Sequence, residues 1–361
     1  STDSTAADDG DVLQQAAASA ARAAAPKSPI AALEGLLLEA GADLRITGYD
    51  LKKAIYTNME ADIPEPGSVL VGARLFCEML RRMPDGVVTV EAENGTVTVR
   101  CGRSSFNLVG MSAEDYPDLP SVEAENGVSL PQDLLKKMIN ECSFAVSTNE
   151  SRPVYMGTLF EIAHNELTMV SVDGYRLALR REPVEGYGDD CSFIVPGTAL
   201  SDLERLCGGS KHISFTVGST VILSRRLEGD FLNYKKAIPE SFRITVKTAR
   251  TDLLDVVERV SLIVDSKNNA PLRLTFRKDA IDFVCTTPLG KAADSCPCEG
   301  DGGDLEIGFN DHYLSDALKA APADELNVCL NTGSSPCIFV PADGSDNFVY
   351  MVLPVRLRAG Q

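Results

Sequence analysis

The sequence predicts an α+β protein in which one module, two helices packed on one face of an antiparallel sheet, is used three times in tandem. Three observations predict it. The order helix, strand pair, long excursion, helix, hairpin recurs along the chain, and the hairpin stretches alternate apolar and polar residues around a tight turn. Division of 361 residues among three modules gives about 120 each, an ordinary domain size.

In the first module the apolar spacing predicts a helix over 11–22, strands over 36–39 and 44–47, and a second helix over 72–83. Alternating residues 88–92 and 97–100 flank Asn94-Gly95, the dipeptide that suits a two-residue hairpin turn. The second module repeats this with a helix over 132–142, strands over 158–162 and 167–172, and a helix over 196–206 stopped by Gly208-Gly209. Its hairpin joins 213–217 to 221–224 through Gly218-Ser219. The third has a helix over 251–264 and strands over 272–277 and 280–285. Asn310 then caps a helix over 313–320, and strands over 325–330 and 337–340 flank a turn at Gly333-Ser334. Proline-bearing joins at Tyr116-Pro-Asp-Leu-Pro120 and Ile238-Pro239 divide the chain into domains 1–120, 121–243 and 244–361. The polar start, without a leading Met, reads as a processed or trimmed end. The last apolar stretch, 347–357, reads equally as a buried terminal strand, but it contains Pro354, which cannot donate to a sheet ladder. The chain is therefore expected to leave the sheet after Leu353, with Val355 and Leu357 exposed to line a partner groove.

Composition excludes several classes. No apolar run reaches the roughly 18 to 20 residues needed to cross a bilayer, so a cytoplasmic protein is expected. Ten cysteines spread singly through a long chain read as reduced thiols. Cys296-Pro-Cys298, with only Cys285 near it, lacks a recognised zinc spacing, and no metal site is expected. His164, His212 and His312 stand apart, with no nucleophile signature around them. Gly300-Asp-Gly-Gly303 lacks the following Lys-Ser/Thr of a phosphate loop and reads as a plain loop. The chain carries 34 Lys and Arg against 52 Asp and Glu, a net charge of -18. Basic residues nevertheless gather on the expected helices or their ends: Arg22, Arg74, Arg81, Arg82, Lys136, Lys137, Arg205, Lys211, Arg259 and Lys319. Such residues make either ordinary solvated helix faces or a surface that attracts a polyanion while the acidic remainder repels it.

Beyond these patterns, Gly102-Arg-Ser-Ser-Phe106, Val172-Asp-Gly-Tyr-Arg-Leu-Ala178, Glu306-Ile-Gly-Phe-Asn310 and Met351-Val-Leu-Pro-Val-Arg-Leu357 resemble, in order, the bacterial DNA polymerase III β subunit family of sliding clamps. The resemblance covers the chain from about residue 11 onward and implies the DNA clamp fold. In that fold two three-domain chains form a head-to-tail, ring-forming homodimer with helices around a central hole. It implies a non-catalytic processivity factor without cofactor, encircling double-stranded DNA irrespective of sequence. Its partners would be the DNA polymerase III α subunit, the clamp loader and repair proteins, which bind through short linear motifs.

Carried over by position, the resemblance assigns DNA contacts to Lys27, Arg74, Arg81, Arg82, Lys136, Arg152 and Arg205. It sets Met79, Met83, Phe106 and Leu108 against Ile263 and Val264 of the second chain. The wall of the peptide groove is Tyr155, Val172, Gly174, Tyr175, Arg176, Leu177, Leu232, Lys236, Ala237, Asn310, Tyr313, Ser334 and Pro336. It continues through Met351, Val352, Leu353, Pro354, Val355, Arg356 and Leu357. Departures from the family pattern are Tyr175 where histidine is common, Pro336 where a small hydroxyl residue is common, and Pro153-Val154 where aromatic residues contact single-stranded template. Two other readings stay open at this point: a scaffold of the same fold that never encircles DNA, and an enzyme using Cys285, Cys296 and Cys298 on a metal.

Overall fold

The computed structural model describes residues 2–3, 9–120, 128, 130–185, 190–203, 214–217 and 220–359. By compactness the chain divides into two units, Ser1–Gln132 with Ser201–Arg226, and Asp133–Leu200 with Leu227–Gln361.

In the first unit β1 (Thr2–Asp3), β6 (Val88–Glu93), β7 (Thr96–Cys101) and β8 (Ser104–Val109) form a four-stranded sheet in the order β1-β6-β7-β8. The β6–β7 turn is made by Asn94 and Gly95 at φ +51 and +77, the left-handed pair that Asn-Gly supplies readily. A six-stranded sheet contains β2 (Gly35–Ala40), β3 (Leu44–Tyr49), β4 (Lys53–Met59), β5 (Gly67–Gly72), β13 (Ser214–Val217) and β14 (Thr220–Ser224), in the order β13-β14-β4-β3-β2-β5. Helices α1 (Asp9–Ala21) and α2 (Ala73–Arg82) contribute Leu13, Ala16, Ala17, Ala20, Phe76, Met79 and Leu80 to one core. The alanine-rich start is thereby explained: a Cβ on Gly48 of β3 would collide with the Ala20 carbonyl, so helix and strand cross at a distance only small residues allow.

The second unit holds one ten-stranded sheet in the order β12-β9-β10-β11-β20-β19-β18-β15-β17-β16. Its strands are β9 (Gly157–Ala163), β10 (Glu166–Val172), β11 (Arg176–Pro183), β12 (Cys191–Pro196), β15 (Ile244–Ala249), β16 (Leu272–Thr287), β17 (Gly290–Phe309), β18 (Glu325–Leu330), β19 (Cys337–Pro341) and β20 (Phe348–Val352). Its helices are α3 (Gln132–Asn140), α5 (Tyr234–Ala237), α6 (Arg250–Val260) and α7 (Asp311–Ala320), while α4 (Gly197–Leu203) spans the division between units. Among the described residues no helix is long and apolar enough to cross a membrane.

Repetition is written into the backbone. Three isolated bridges, Leu70↔Met111, Ile194↔Leu227 and Gly308↔Val355, each tie the residue after a module's last hairpin to the strand before its second helix. The terminal strands of two modules are also paired onward, β14 onto β4 and β20 onto β11. The corresponding strand of the first module, β8, is left as the edge of its sheet.

Four expectations are corrected. The strands expected over 272–277 and 280–285 run on as β16, with the register to β17 stepping on either side of Lys278 and Asp279 at φ +58. Gly300–Gly303 lies within β17, because a Cβ on Gly302 would collide with Phe276. The glycine answers a close backbone approach rather than a free loop. The sequence reading passed over β4, β5, β11, β12 and β17, which lie in the long excursions, β15, which precedes the third module's first helix, and β8, which follows the first hairpin. Finally, the chain does leave the ladder after Val352, but Val355 and Leu357 are half-buried. Val355 N–H donates to the Gly308 carbonyl at 2.8 Å, and Leu357 packs on the same glycine. The helix stop Gly208-Gly209, the turn Gly218-Ser219, His212, Lys211 and Arg205 lie outside the described residues.

Candidate peptide groove, DNA face and ring interface

The groove begins with a turn. Between β10 and β11, Asp173 Oδ1 accepts the N–H groups of Tyr175 and Arg176 at 2.9 and 3.0 Å, and Gly174 takes φ +93. This closed turn turns Tyr175 outward, 59% exposed, where its ring stacks on Tyr313 with centroids 5.8 Å apart and planes at 20°. Tyr313 is held in turn by Asn310, whose side chain caps α7 by accepting the N–H groups of His312 and Tyr313.

Arg176 completes the stack. Its guanidinium lies 4.7 Å from the Tyr313 ring centroid and bonds Asp173 Oδ2 at 2.9 Å and Asp316 Oδ2 at 2.6 Å. Burial opposes its charge, but the two carboxylates outweigh burial and hold its pKa above the usual arginine value. Leu353 N–H donates to the Tyr175 carbonyl at 2.9 Å, fixing the first residue beyond β20 beside the turn.

Opposite chemistry fills the space alongside. Tyr155 meets Phe231 edge-on at 5.5 Å, and Leu232 is 38% exposed. Half-buried Ala237, on the short helix bearing exposed Lys236, packs on the same cluster. Val172, Leu177 and Met351 belong to that cluster but are buried, so they are its floor rather than its accessible wall. Val352 is a correction: strand alternation turns it to the other face of β20, where it is 1% exposed. Pro336 and Pro354 are half-buried, while Ser334 and Arg356 are exposed. Sequence reading missed Phe231, Asp316 and Phe144, whose ring lies 5.6 Å from the Arg176 guanidinium. Only Phe231, next to Leu232, could have been found without the fold.

Basic residues divide into two kinds. Arg74, Arg81 and Arg82 on α2, Lys136 on α3, Lys27 and Arg152 are all exposed and form no ion pair among the described residues. Arg259 instead bonds Asp294 at 2.6 Å, Lys319 pairs with Glu258 at 3.4 Å and Lys137 with Glu141 at 3.8 Å.

Interface candidates divide similarly. On β8, Phe106 is 44% and Val109 87% exposed, and in the other unit Leu262 is 83% exposed beside half-buried Ile263 and Val264. Met83 and Leu108 are half-buried against the first unit's core. Met79 is a correction: at 6% exposure it packs with Phe76 and Leu80 because it falls on the inward stripe of α2. Val109 and Leu262 were not singled out from sequence, where exposure has no local signal.

Thiol chemistry finds no support. Burial pushes the thiols of Cys77 and Cys298 up to about 11 and that of Cys142 to about 12, which keeps them protonated near neutrality. Among the described residues no three His, Cys, Asp or Glu side chains converge as a metal site.

Tandem α+β modules with an aromatic-walled groove, exposed helix cations and an unpaired sheet edge define a DNA clamp. Models of the DNA polymerase III beta subunit match in sequence: the N-terminal domain over residues 9–120, the central domain over 129–233 and the C-terminal domain over 235–356. A "Beta sliding clamp" of Synechocystis sp. is 33% identical over 373 residues, covering 92% of this chain and 93% of its own. The crystal structure of the DNA polymerase sliding clamp from Bacillus subtilis superposes with a TM-score of 0.91 at 26% identity, covering 97% of this chain and 98% of that one. That of the Pseudomonas aeruginosa clamp bound to griselimycin does so with 0.90 at 27%, covering 96% and 98%. The chain belongs to the DNA polymerase III beta subunit family.

Proposed function

We propose that two copies of this chain close head to tail into a ring that encircles duplex DNA and holds polymerase and repair proteins through the Tyr175 groove. As a sliding clamp the protein is a processivity subunit and not an enzyme. Its setting is the bacterial cytoplasm, with the DNA polymerase III α subunit and the clamp loader among the proteins that use the groove. The observation that carries the ring is the bare edge of β8. Its counterparts β14 and β20 are both paired onward within the chain, whereas β8 has no onward partner among the described residues, and a second copy would supply one.

Arg74, Arg81, Arg82, Lys136, Lys27, Arg152 and Arg205 would then meet DNA phosphates, with encirclement rather than affinity retaining the duplex. Reversing Arg74, Arg81 and Arg82 to Glu is expected to flatten the plot of log affinity for duplex DNA against log salt by about 2.7, at about 0.9 per lost phosphate contact. Fluorescence anisotropy on a labelled duplex reads this directly. An unchanged slope would favour the scaffold that never encircles DNA. The groove suits an extended peptide: Tyr155, Tyr175, Leu232 and Leu353 supply apolar contact, and exposed Arg356 attracts a carboxylate.

A further inference from the structure

The turn that builds the groove occurs a second time. Between β3 and β4, Asp50 Oδ1 accepts the N–H groups of Lys52 and Lys53 at 2.9 and 2.7 Å, as Asp173 Oδ1 accepts those of Tyr175 and Arg176. Leu51 stands at φ +74 where Gly174 stands at +93. Arg225 N–H donates to the Lys52 carbonyl at 2.9 Å, the bond that Leu353 makes to Tyr175 at the same distance. The register agrees as well: Leu223 lies opposite Ala54 as Met351 lies opposite Leu177. The backbone that frames the groove in the second unit is thus also present in the first, where it borders a shallow cleft of about 50 Å³ floored by Tyr49, Ala54 and Leu223 and edged by Leu51 and Pro120.

The rims differ in charge. Where the groove presents Tyr175, Leu353 and Pro354, the cleft presents Lys52, Arg225 and Arg226, all exposed and without an ion pair among the described residues. The carboxylate of the same turn, Asp50, is engaged by its two backbone donors. We propose that this cleft is a second docking groove, for an acidic linear peptide that places one apolar side chain against exposed Leu51 and half-buried Pro120, over the buried floor of Tyr49, Ala54 and Leu223, and its carboxylates against Lys52 and Arg225. The proposal rests on the reading of the Tyr175 site as a peptide groove. A peptide fits better than a nucleic acid strand because Tyr49 is only 7% exposed and leaves no ring face for a base to stack on.

The test uses the full chain and two fluorescein-labelled peptides, Asp-Glu-Leu-Asp-Glu and a neutral peptide carrying leucine and phenylalanine, followed by anisotropy. Lys52→Glu with Arg225→Glu is expected to weaken the acidic peptide at least about 10-fold and leave the neutral one unchanged, and the two alanine substitutions should give an intermediate loss. Tyr175→Ala is expected to do the reverse. The proposal is overturned if the acidic peptide does not bind, or if it responds to Tyr175→Ala instead. It is also overturned if an oligothymidylate of equal charge binds the cleft as tightly, or if Lys52 and Arg225 prove to mediate association between copies. A neutral peptide that binds nowhere, beside an acidic peptide that still depends on Lys52 and Arg225, would sink the groove reading and spare the cleft.

Discussion

Phe106→Arg should convert a two-chain particle into single chains, raising the dissociation constant about 10⁴-fold. The ring closes through two identical interfaces. A charge placed at a position to be buried costs each about 3 kcal/mol, so the pair loses about 6 kcal/mol. The repeats also supply the register. β14 sets Ser224 opposite Lys53, and β20 sets Val352 opposite Arg176, in each case just after an Asx-type turn. In the third module Leu289 N–H donates to Thr287 Oγ1 at 3.1 Å, the same turn made with a threonine, and Leu289 is 70% exposed. Transferring the pairing sets Leu108 opposite Gly290 and Phe106 opposite Ala292 of the second copy, with Val109 N–H aimed at the Leu289 carbonyl. The exposures of Val109 and Leu289, costly in an isolated chain, then have one cause. Phe106→Cys with Ala292→Cys should form a disulfide across each interface under mild oxidation and give a covalent two-chain band. Asn107→Cys with Ala292→Cys, one residue out of register, should cross-link far less. Sedimentation equilibrium of Phe106→Arg showing an intact dimer at nanomolar concentration would refute the interface.

The hairpins were legible in the sequence because Asn94-Gly95 and two-residue alternation are local signals, and the helices because their apolar stripes are. Elements that depend on distant chain were not. Gly302 looks like a loop residue until Phe276 is seen beside it, and Met79 looks like any apolar helix position until α1 packs against α2. The groove was found through its resemblance to a family. Its geometry instead rests on Asp316, which lies 140 residues from Arg176 and carries no local mark. Repetition gives the lesson a second side. Leu51, Gly174 and Pro288 share a place in the module but no residue type, so a turn that is plain in the backbone is nearly invisible in the letters.

Arg180→Met should destabilise the second unit by about 3 kcal/mol, the cost of leaving the buried Glu141 carboxylate with only the more distant, exposed Lys137 at 3.8 Å. Arg180 is 2% exposed at the strand pair β11·β20. It bonds Glu141 Oε2 at 2.6 Å, Glu182 Oε1 at 2.8 Å and the Asn347 carbonyl at 2.7 Å. Burial pushes the Glu141 carboxyl up even with Arg180 in place, the arginine opposing that rise. Without the arginine the folded-state pKa climbs further above the unfolded one, so the folded variant holds the proton more tightly. Stability is then fully present below the unfolded carboxylate pKa of about 4.3 and is lost as pH rises through the folded value. Urea unfolding should accordingly show a smaller deficit relative to the parent chain at pH 5 than at pH 8. Adding Glu141→Gln should recover part of the loss at pH 8 and little at pH 5, because the amide removes the charge that only the higher pH creates. Equal deficits at both pH values would mean that Arg180 acts through its bond to the Asn347 carbonyl and its packing, not through Glu141.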